Sequence, residues 1–87
     1  MNTFTLNISS CDGTIFEEEI ISIILRGASG DLAIMAGHIP FATSVVPCVL
    51  RIKKDDETEL KANIKSGLLT VNDEKVTLIT SSLEWIK

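Results

Sequence analysis

The segment E-L-K-A-N-I-K, residues 59–65, alternates apolar and polar side chains with a period of two. The same period recurs along the chain, with turn residues between its copies. A pleated strand sends successive side chains to opposite faces, so such alternation marks a half-buried strand. Here Leu60, Ala62 and Ile64 face inward, while Glu59, Lys61, Asn63 and Lys65 face outward. Leu50 and Ile52 precede them across a turn at 55–58, which makes the two runs a hairpin. After Ser66 and Gly67 a second hairpin places Leu69 and Val71 before a turn at Asn72, Asp73 and Glu74, with Val76 and Leu78 after it. Near the start, T-F-T-L-N-I-S puts Phe4, Leu6 and Ile8 on one face and Thr5 and Asn7 on the other, and Cys11, Asp12 and Gly13 supply the turn. Strands spaced about 8 to 12 residues apart with turn chemistry between them predict an antiparallel sandwich or barrel.

The middle of the chain departs from strict alternation. Ile15 and Phe16 start a strand, Glu17, Glu18 and Glu19 interrupt it, and I-I-S-I-I-L at 20–25 is nearly unbroken in its apolar character. Ile20, Ile23 and Ile24 fall at helical spacing, but isoleucine is restricted at χ1 in a helix, and Gly27 ends the run too soon for a stable one. The residues therefore predict a strand, with Ile21, Ile23 and Leu25 inward and Ile20 and Ile24 outward. Gly27 to Gly30 forms a turn, Leu32 and Ile34 resume the inward face, and a loop follows at 36–40. Phe41 to Val46 is a weaker strand that Pro47 stops, because proline has no N–H to give a ladder.

A chain of 87 residues encloses a single apolar interior, so one domain over 1–87 is expected. Hydrophobic residues make up 45% of it, enough to offset chain entropy, which places it among folded proteins. A net charge of −4 with dispersed Lys and Arg argues against a nucleic-acid partner, since phosphate binding needs clustered cations. The longest basic cluster, R-I-K-K at 51–54, alternates with Ile52 and runs into Asp55, Asp56 and Glu57, which reads as a solvated strand end. No apolar run approaches the ~20 residues of a spanning helix, and no leader pattern opens the chain. The expectation is a cytosolic chain with Cys11 and Cys48 as free thiols.

Candidate chemistry is thin. His38 is the sole imidazole, so a triad, a proton shuttle or a zinc site would have to be built on it. Cys11, Cys48 and His38 show none of the short paired spacings that assemble a metal site, and Cys48 alternates with Leu50 and Ile52 as an inert buried thiol would. The glycines at Gly27 and Gly30 lead into a strand rather than a helix N-terminus, which removes a phosphate cradle. Glu17, Glu18 and Glu19 point to alternating faces of a strand, which removes paired acid catalysis. No catalytic residue, cofactor site or metal site is expected, and the chain is not expected to be an enzyme. What remains is surface: Ile24, Ile39 and Phe41 suit a docking face, and the pattern fits equally well with both sheet faces being partly covered within the domain.

The stretch G-A-S-G-D-L-A-I-M-A-G-H-I-P-F, residues 27–41, resembles the loop that identifies the epsilon subunit of F-type ATP synthases, whose usual form is glycine, two residues, G-E-L-G-I, two residues, G-H-A-P-L. T-F-T-L-N-I-S, P-C-V-L-R-I-K, G-L-L-T-V and V-T-L-I-T agree with that family in order and spacing, over essentially the whole chain. The resemblance implies an antiparallel ten-stranded β-sandwich, a flattened barrel, and the role of a non-catalytic central-stalk subunit. Its partners would be the gamma subunit and the membrane c-ring, at the cytoplasmic face of the cell membrane as a peripheral part of the complex. By matching position, Gly30, Asp31 and Leu32 would lie on the c-ring side, and Ser10, His38, Ile39 and Pro40 on the gamma side. Gly27, Gly30 and Gly37 would shape two adjoining bends that present Asp31, His38 and Ile39 at one tip. Ala33, Ala36, Cys48 and Ser66 stand where the family commonly has glycine or proline. Family members typically continue into a helical hairpin that binds ATP in some species; the sequence ends at S-S-L-E-W-I-K, and the expectation is that this chain binds no ATP. Leu83, Trp85 and Ile86 are expected to pack on the sandwich edge rather than to form an exposed gamma contact. The alternative is a free-standing β-sandwich adaptor, since a fold alone does not fix a function.

Overall fold

The inward phase of one strand after another is satisfied in a single sheet that curls onto itself. The structure, a computed structural model, describes residues 3–28, 30–37, 40–55, 57–72 and 75–86. The described residues form ten strands and no helix: β1 (Phe4–Ser10), β2 (Gly13–Ile20), β3 (Ser22–Gly27), β4 (Gly30–Met35), β5 (Phe41–Val45), β6 (Cys48–Lys53), β7 (Glu59–Ile64), β8 (Gly67–Val71), β9 (Lys75–Thr80) and β10 (Leu83–Ile86). Their order is β10-β7-β6-β3-β5-β8-β9-β1-β2, with β4 paired to the free side of β3. Every pairing is antiparallel except β1 with β9, which is parallel and brings the N-terminal strand into the far half of the sheet.

β3 joins the two layers of the sandwich. Its first half pairs with β6 through Ser22, Ile23 and Ile24, and its last residue pairs with β5 through Gly27 and Val45. Hydrogen bonds from the Ala28 N–H to the Ser44 carbonyl and from the Val46 N–H to the Arg26 carbonyl, both 3.1 Å, hold that junction.

Between the layers lie Leu6, Ile8, Ile20, Ile23, Leu50, Ile52, Leu69, Val76 and Leu78, all fully buried, with Phe4, Phe16, Leu25, Ile34 and Val71 around them. Burying side chains of this size stabilises by roughly 1.5–3 kcal/mol each relative to exposure. Leu32, Cys48, Leu60 and Leu83 pack on this interior from its rim while remaining partly exposed. Cys48, expected to be a buried thiol, is half-buried and packs on the interior from its rim, where it opens β6.

Two expectations for the middle of the chain are corrected. Glu17, Glu18 and Glu19 do not interrupt a strand: β2 runs through them from Gly13 to Ile20, because β1 supplies a partner opposite each. Ile20 does not point outward with Ile24; it is fully buried. The chain bends at Ile21, whose N–H donates to the Lys53 carbonyl at 2.8 Å, and crosses from one layer to the other. The inward phase therefore shifts at the corner, with Phe16 and Ile20 inward before it and Ile23 and Leu25 inward after it. An apolar run without alternation is what two inward phases joined across a bend produce.

The curl closes through side chains. Edge strand β2 meets edge strand β10 where the rings of Phe16 and Trp85 lie 5.7 Å apart at 53°. Beside them the Glu18 carboxylate, on the inward phase of β2, pairs with the Lys54 ammonium at 2.7 Å. Of the three tail residues expected to pack on the sandwich edge, Leu83 packs on the interior, whereas Trp85 touches Phe16 yet stays 39% exposed and Ile86 is 41% exposed.

The close approach of β8 to β9 is set at one glycine. A Cβ at Gly67 would run into the backbone carbonyl oxygen of Ile79, which cannot swing aside as a side chain can. Gly67→Ala is expected to destabilise the chain by about 1–3 kcal/mol, read by urea denaturation as a lower midpoint at unchanged slope. An unchanged midpoint would show that β8 and β9 tolerate separation there.

Candidate functional site

The register, read across the sheet, decides which predicted site residues share a neighbourhood. Gly30 opens β4 at φ +129°, a backbone conformation open to glycine, and faces Gly27 across the hairpin. Ser29, within this bend, lies outside the described residues. Gly30 and Asp31 are exposed, whereas Leu32 turns inward and packs on the interior. Asp31 is held by a cross-strand partner: the Arg26 guanidinium donates to its Oδ1 at 2.9 Å, with the two side chains 60% and 72% exposed. Asp31, through that bond, raises the Arg26 guanidinium above its ordinary value.

Ser10 ends β1, half-exposed, and its Oγ accepts from the Asp12 N–H at 3.2 Å. Thr80, Gly67, Val45 and Gly27 align across β9, β8, β5 and β3, and Ser9 pairs with Ile79 one residue before that row. Ser10 therefore stands at the end of the strands from which Gly30 and Asp31 project. Pro40 is at the opposite end, immediately before Phe41, which aligns with Val71 and Val76. His38 and Ile39 lie outside the described residues.

The glycine bends are likewise not adjoining. Gly30 begins β4 and Gly37, at φ +88°, lies just beyond its end, so an extended six-residue strand separates them; at a rise of ~3.3 Å per residue the two bends are about 20 Å apart. The sequence spacing of seven residues looks like one loop; pairing of β4 with β3 stretches it into a strand with a bend at each end.

Two features were not foreseen. On the outer face of β8 and β9, Leu68 and Ile79 stand directly opposite each other, 47% and 50% exposed, with Ser44 and Ser9 extending the row. The signal was available: Leu68 beside Leu69, and Leu78 beside Ile79, fill outward positions with apolar residues. The second is a shallow depression of about 360 Å3 beside Asp31, lined by Ile24, Arg26, Cys48, Val49 and Arg51 among others.

A polar network crosses the outer face of β1. The Ser9 hydroxyl donates to Asn7 Oδ1 at 2.6 Å, and Asn7 Nδ2 donates to Glu17 Oε2 at 2.9 Å. The Lys75 ammonium approaches the same carboxylate oxygen at 3.2 Å. Asn7, although on the outer face, is buried beneath these partners. The hydrogen bond from Asn7, and next the ammonium of Lys75, hold the Glu17 carboxyl below the usual glutamate range. Thr80 is the other buried polar residue among the described ones; its hydroxyl donates to the Ser66 carbonyl at 2.7 Å and accepts from the Ser82 N–H at 3.4 Å.

Flat outer faces carrying paired apolar or charged residues, on a closed curled sheet, define a small all-β sandwich whose chemistry lies at its surface. Residues 3–86 match the family described as ATP synthase, Delta/Epsilon chain, beta-sandwich domain, and the chain belongs to that family. It is 37% identical over 84 residues to the ATP synthase epsilon chain of Bacillus velezensis, an alignment covering 97% of this chain and 63% of that one. It is 31% identical to the sodium ion specific ATP synthase epsilon chain of Acetobacterium woodii, covering 95% of this chain and 62% of that one. The chain thus spans a little under two thirds of the length of these relatives. In fold it is similar to a chain in the Euglena gracilis mitochondrial ATP synthase OSCP/F1/c-ring structure, with a TM-score of 0.89 at 22% identity, covering 95% of this chain and 53% of that one. A chain in the central stalk and c-ring structure of the Tetrahymena thermophila enzyme matches with a TM-score of 0.80 at 11% identity, covering 94% and 66%.

The depressed Glu17 carboxyl has a defined pH signature. A folded-state value below the unfolded one favours the folded chain above the unfolded value, and the gain disappears as pH falls through the folded value. Glu17→Gln is therefore expected to melt below the native chain at pH 7, with the gap closing as pH falls below about 4. Thermal melts of both proteins across that range check it; a gap that persists in acid would assign the effect to shape rather than charge.

Proposed function

We propose that this chain is a non-catalytic central-stalk subunit of an F-type ATP synthase, coupling rotation of the c-ring to the gamma subunit during ion-driven ATP synthesis. The observation that carries the reading is its membership of the delta/epsilon β-sandwich family, with epsilon-chain relatives aligned over 97% of its length. The geometry suits such a role. A coupling element must transmit force without deforming, and a curled sheet with a close-packed interior and pinned edges resists deformation. It needs no titrating group, only surfaces that fit.

Asp31 and Gly30 form the c-ring contact at one end of the sheet, with Leu32 anchoring the strand behind them. Ser10 contributes to the gamma side together with the exposed row Leu68 and Ile79, which lies on the adjoining outer face of β8 and β9. Pro40, at the other end of the strands, belongs to the gamma side, and His38 and Ile39 are assigned to the same side by their match to the family loop. Bound in this way the chain is peripheral to the membrane, on its cytoplasmic face.

The test is assembly of the purified chain with its own gamma subunit and c-ring. D31K is expected to weaken ring association by about tenfold or more at low ionic strength, converging with the native chain at high salt, while the gamma complex persists. Its effect on the chain alone is small, because an exposed ion pair contributes under about 1 kcal/mol. Leu68→Glu is expected to do the reverse, releasing gamma and sparing the fold. Native chain that binds neither component, or D31K that behaves as native at every salt concentration, would remove the assigned roles.

A further inference from the structure

The outer face of the layer β4-β3-β6-β7-β10 carries a row that the rotor reading does not use. Ala33, Ile24, Arg51, Lys61 and Ile86 stand in register across its five strands. With strands ~4.8 Å apart, the row spans about 19 Å. At its centre two cations, Arg51 and Lys61, sit directly opposite each other on neighbouring strands. Like charges so placed destabilise a sheet. Elsewhere the chain does the opposite: Arg26 faces Asp31, Lys53 faces Glu59, Lys54 meets Glu18 and Lys75 meets Glu17. Neither Arg51 nor Lys61 forms an ion pair with any described residue. In a chain of net charge −4, this is an uncompensated basic centre.

Apolar shoulders flank that centre. Ile24 and Ile86 are each 41% exposed, and Val49, on the next row, is 47% exposed. Arg51, Ile24 and Val49 also line the shallow depression beside Asp31. The rows to either side carry charges that face one another, Asp31 with Arg26 on one and Glu59 with Lys53 on the other, and Glu84 stands opposite Asn63. Arg51 and Lys61 differ from Arg26 and Lys53 in facing no carboxylate across the strands. Two such cations flanked by exposed apolar side chains match a polypeptide segment that carries both acidic and apolar residues.

We infer that this face docks an acidic, partly apolar polypeptide segment of a partner protein, its carboxylates meeting Arg51 and Lys61 and its apolar side chains resting on Ile24, Val49 and Ile86. Arg51 offers a planar fork for a bidentate carboxylate, and Lys61 offers a point charge beside it. The inference stands on this face alone and does not require the rotor assignment.

The test is an NMR titration of the full chain with a defined probe, a ten-residue peptide of four Glu among Leu and Ala. Amide shifts are expected to concentrate at Ile24, Val49, Arg51, Lys61 and Ile86, to weaken with salt, and to vanish with the Glu-to-Gln version of the peptide. K61E is expected to bind at least tenfold more weakly while melting no lower than the native chain, since it pairs Arg51 internally. That combination separates lost recognition from lost folding. Arg51→Gln provides a second variant with the same expected loss. Shifts centred on Leu68 and Ile79, equal binding by K61E, or equal binding of the Gln peptide would overturn the inference. So would tighter binding of this face to phosphatidylglycerol vesicles or inorganic phosphate than to the peptide, because the site would then be one for simple anions.

Discussion

Because the sheet buries one face along its whole width, the phase of every strand is fixed at once, and the surface is determined by the interior. Leu6, Ile8, Ile23, Leu50, Ile52, Leu69 and Leu78 must all point the same way to meet between the layers. A slip of one residue in any strand would turn its apolar set to water. The outward residues are consequently not free to choose their neighbours. Leu68 is set opposite Ile79, and Arg51 opposite Lys61, by the same register that seats Leu69 and Leu78, or Leu50, Ile52 and Ala62, inside.

A curled sheet still has edges, and unpaired edges invite association with other chains. Here β2 and β10 meet through the Phe16 and Trp85 rings, and the Glu18 and Lys54 pair ties β2 to the end of β6. Glu18 lies on the inward phase of β2, between Phe16 and Ile20. A charge in that position makes the edge a poor template for another strand. The corner at Ile21 belongs to the same arrangement, since it carries the chain from the β2 edge into β3 and its N–H donates to the carbonyl of Lys53, next to the Lys54 that pairs with Glu18.

For a member of the delta/epsilon family, these features bear on the proposed role through stiffness and distribution of contacts. The β3 and β4 bend puts Asp31 at one end of the strands, and the Arg26 guanidinium restrains its direction without burying it. The exposed apolar pair of β8 and β9 occupies a flat face, and the basic row of β6 and β7 occupies another. A compact wedge can address several neighbours together only if its faces are held at fixed angles, and the shared interior holds them so.

Most of the fold was legible from residues 48 to 80, where alternation is clean and each turn carries its own chemistry. Asp55 Oδ1 accepts from the N–H groups of Glu57 and Thr58, and Asn72 Oδ1 accepts from that of Lys75, so these turns are local events that a short segment can specify. Residues 17–25 were legible only as strand. Whether Ile20 or Ile21 faces inward depends on where the chain changes layers, and that is set by Lys53, more than thirty residues away. The candidate site divides in the same way. By itself the sequence determined which residues are apolar, where the turns fall, and that Gly30 and Asp31 stand at a bend, because those properties reside in neighbouring side chains. Only the tertiary structure decided that Ser10 shares an end with Gly30 while Pro40 does not, and that Arg51 confronts Lys61. Pairing partners are distant in sequence, and their alignment is fixed by packing of the common interior.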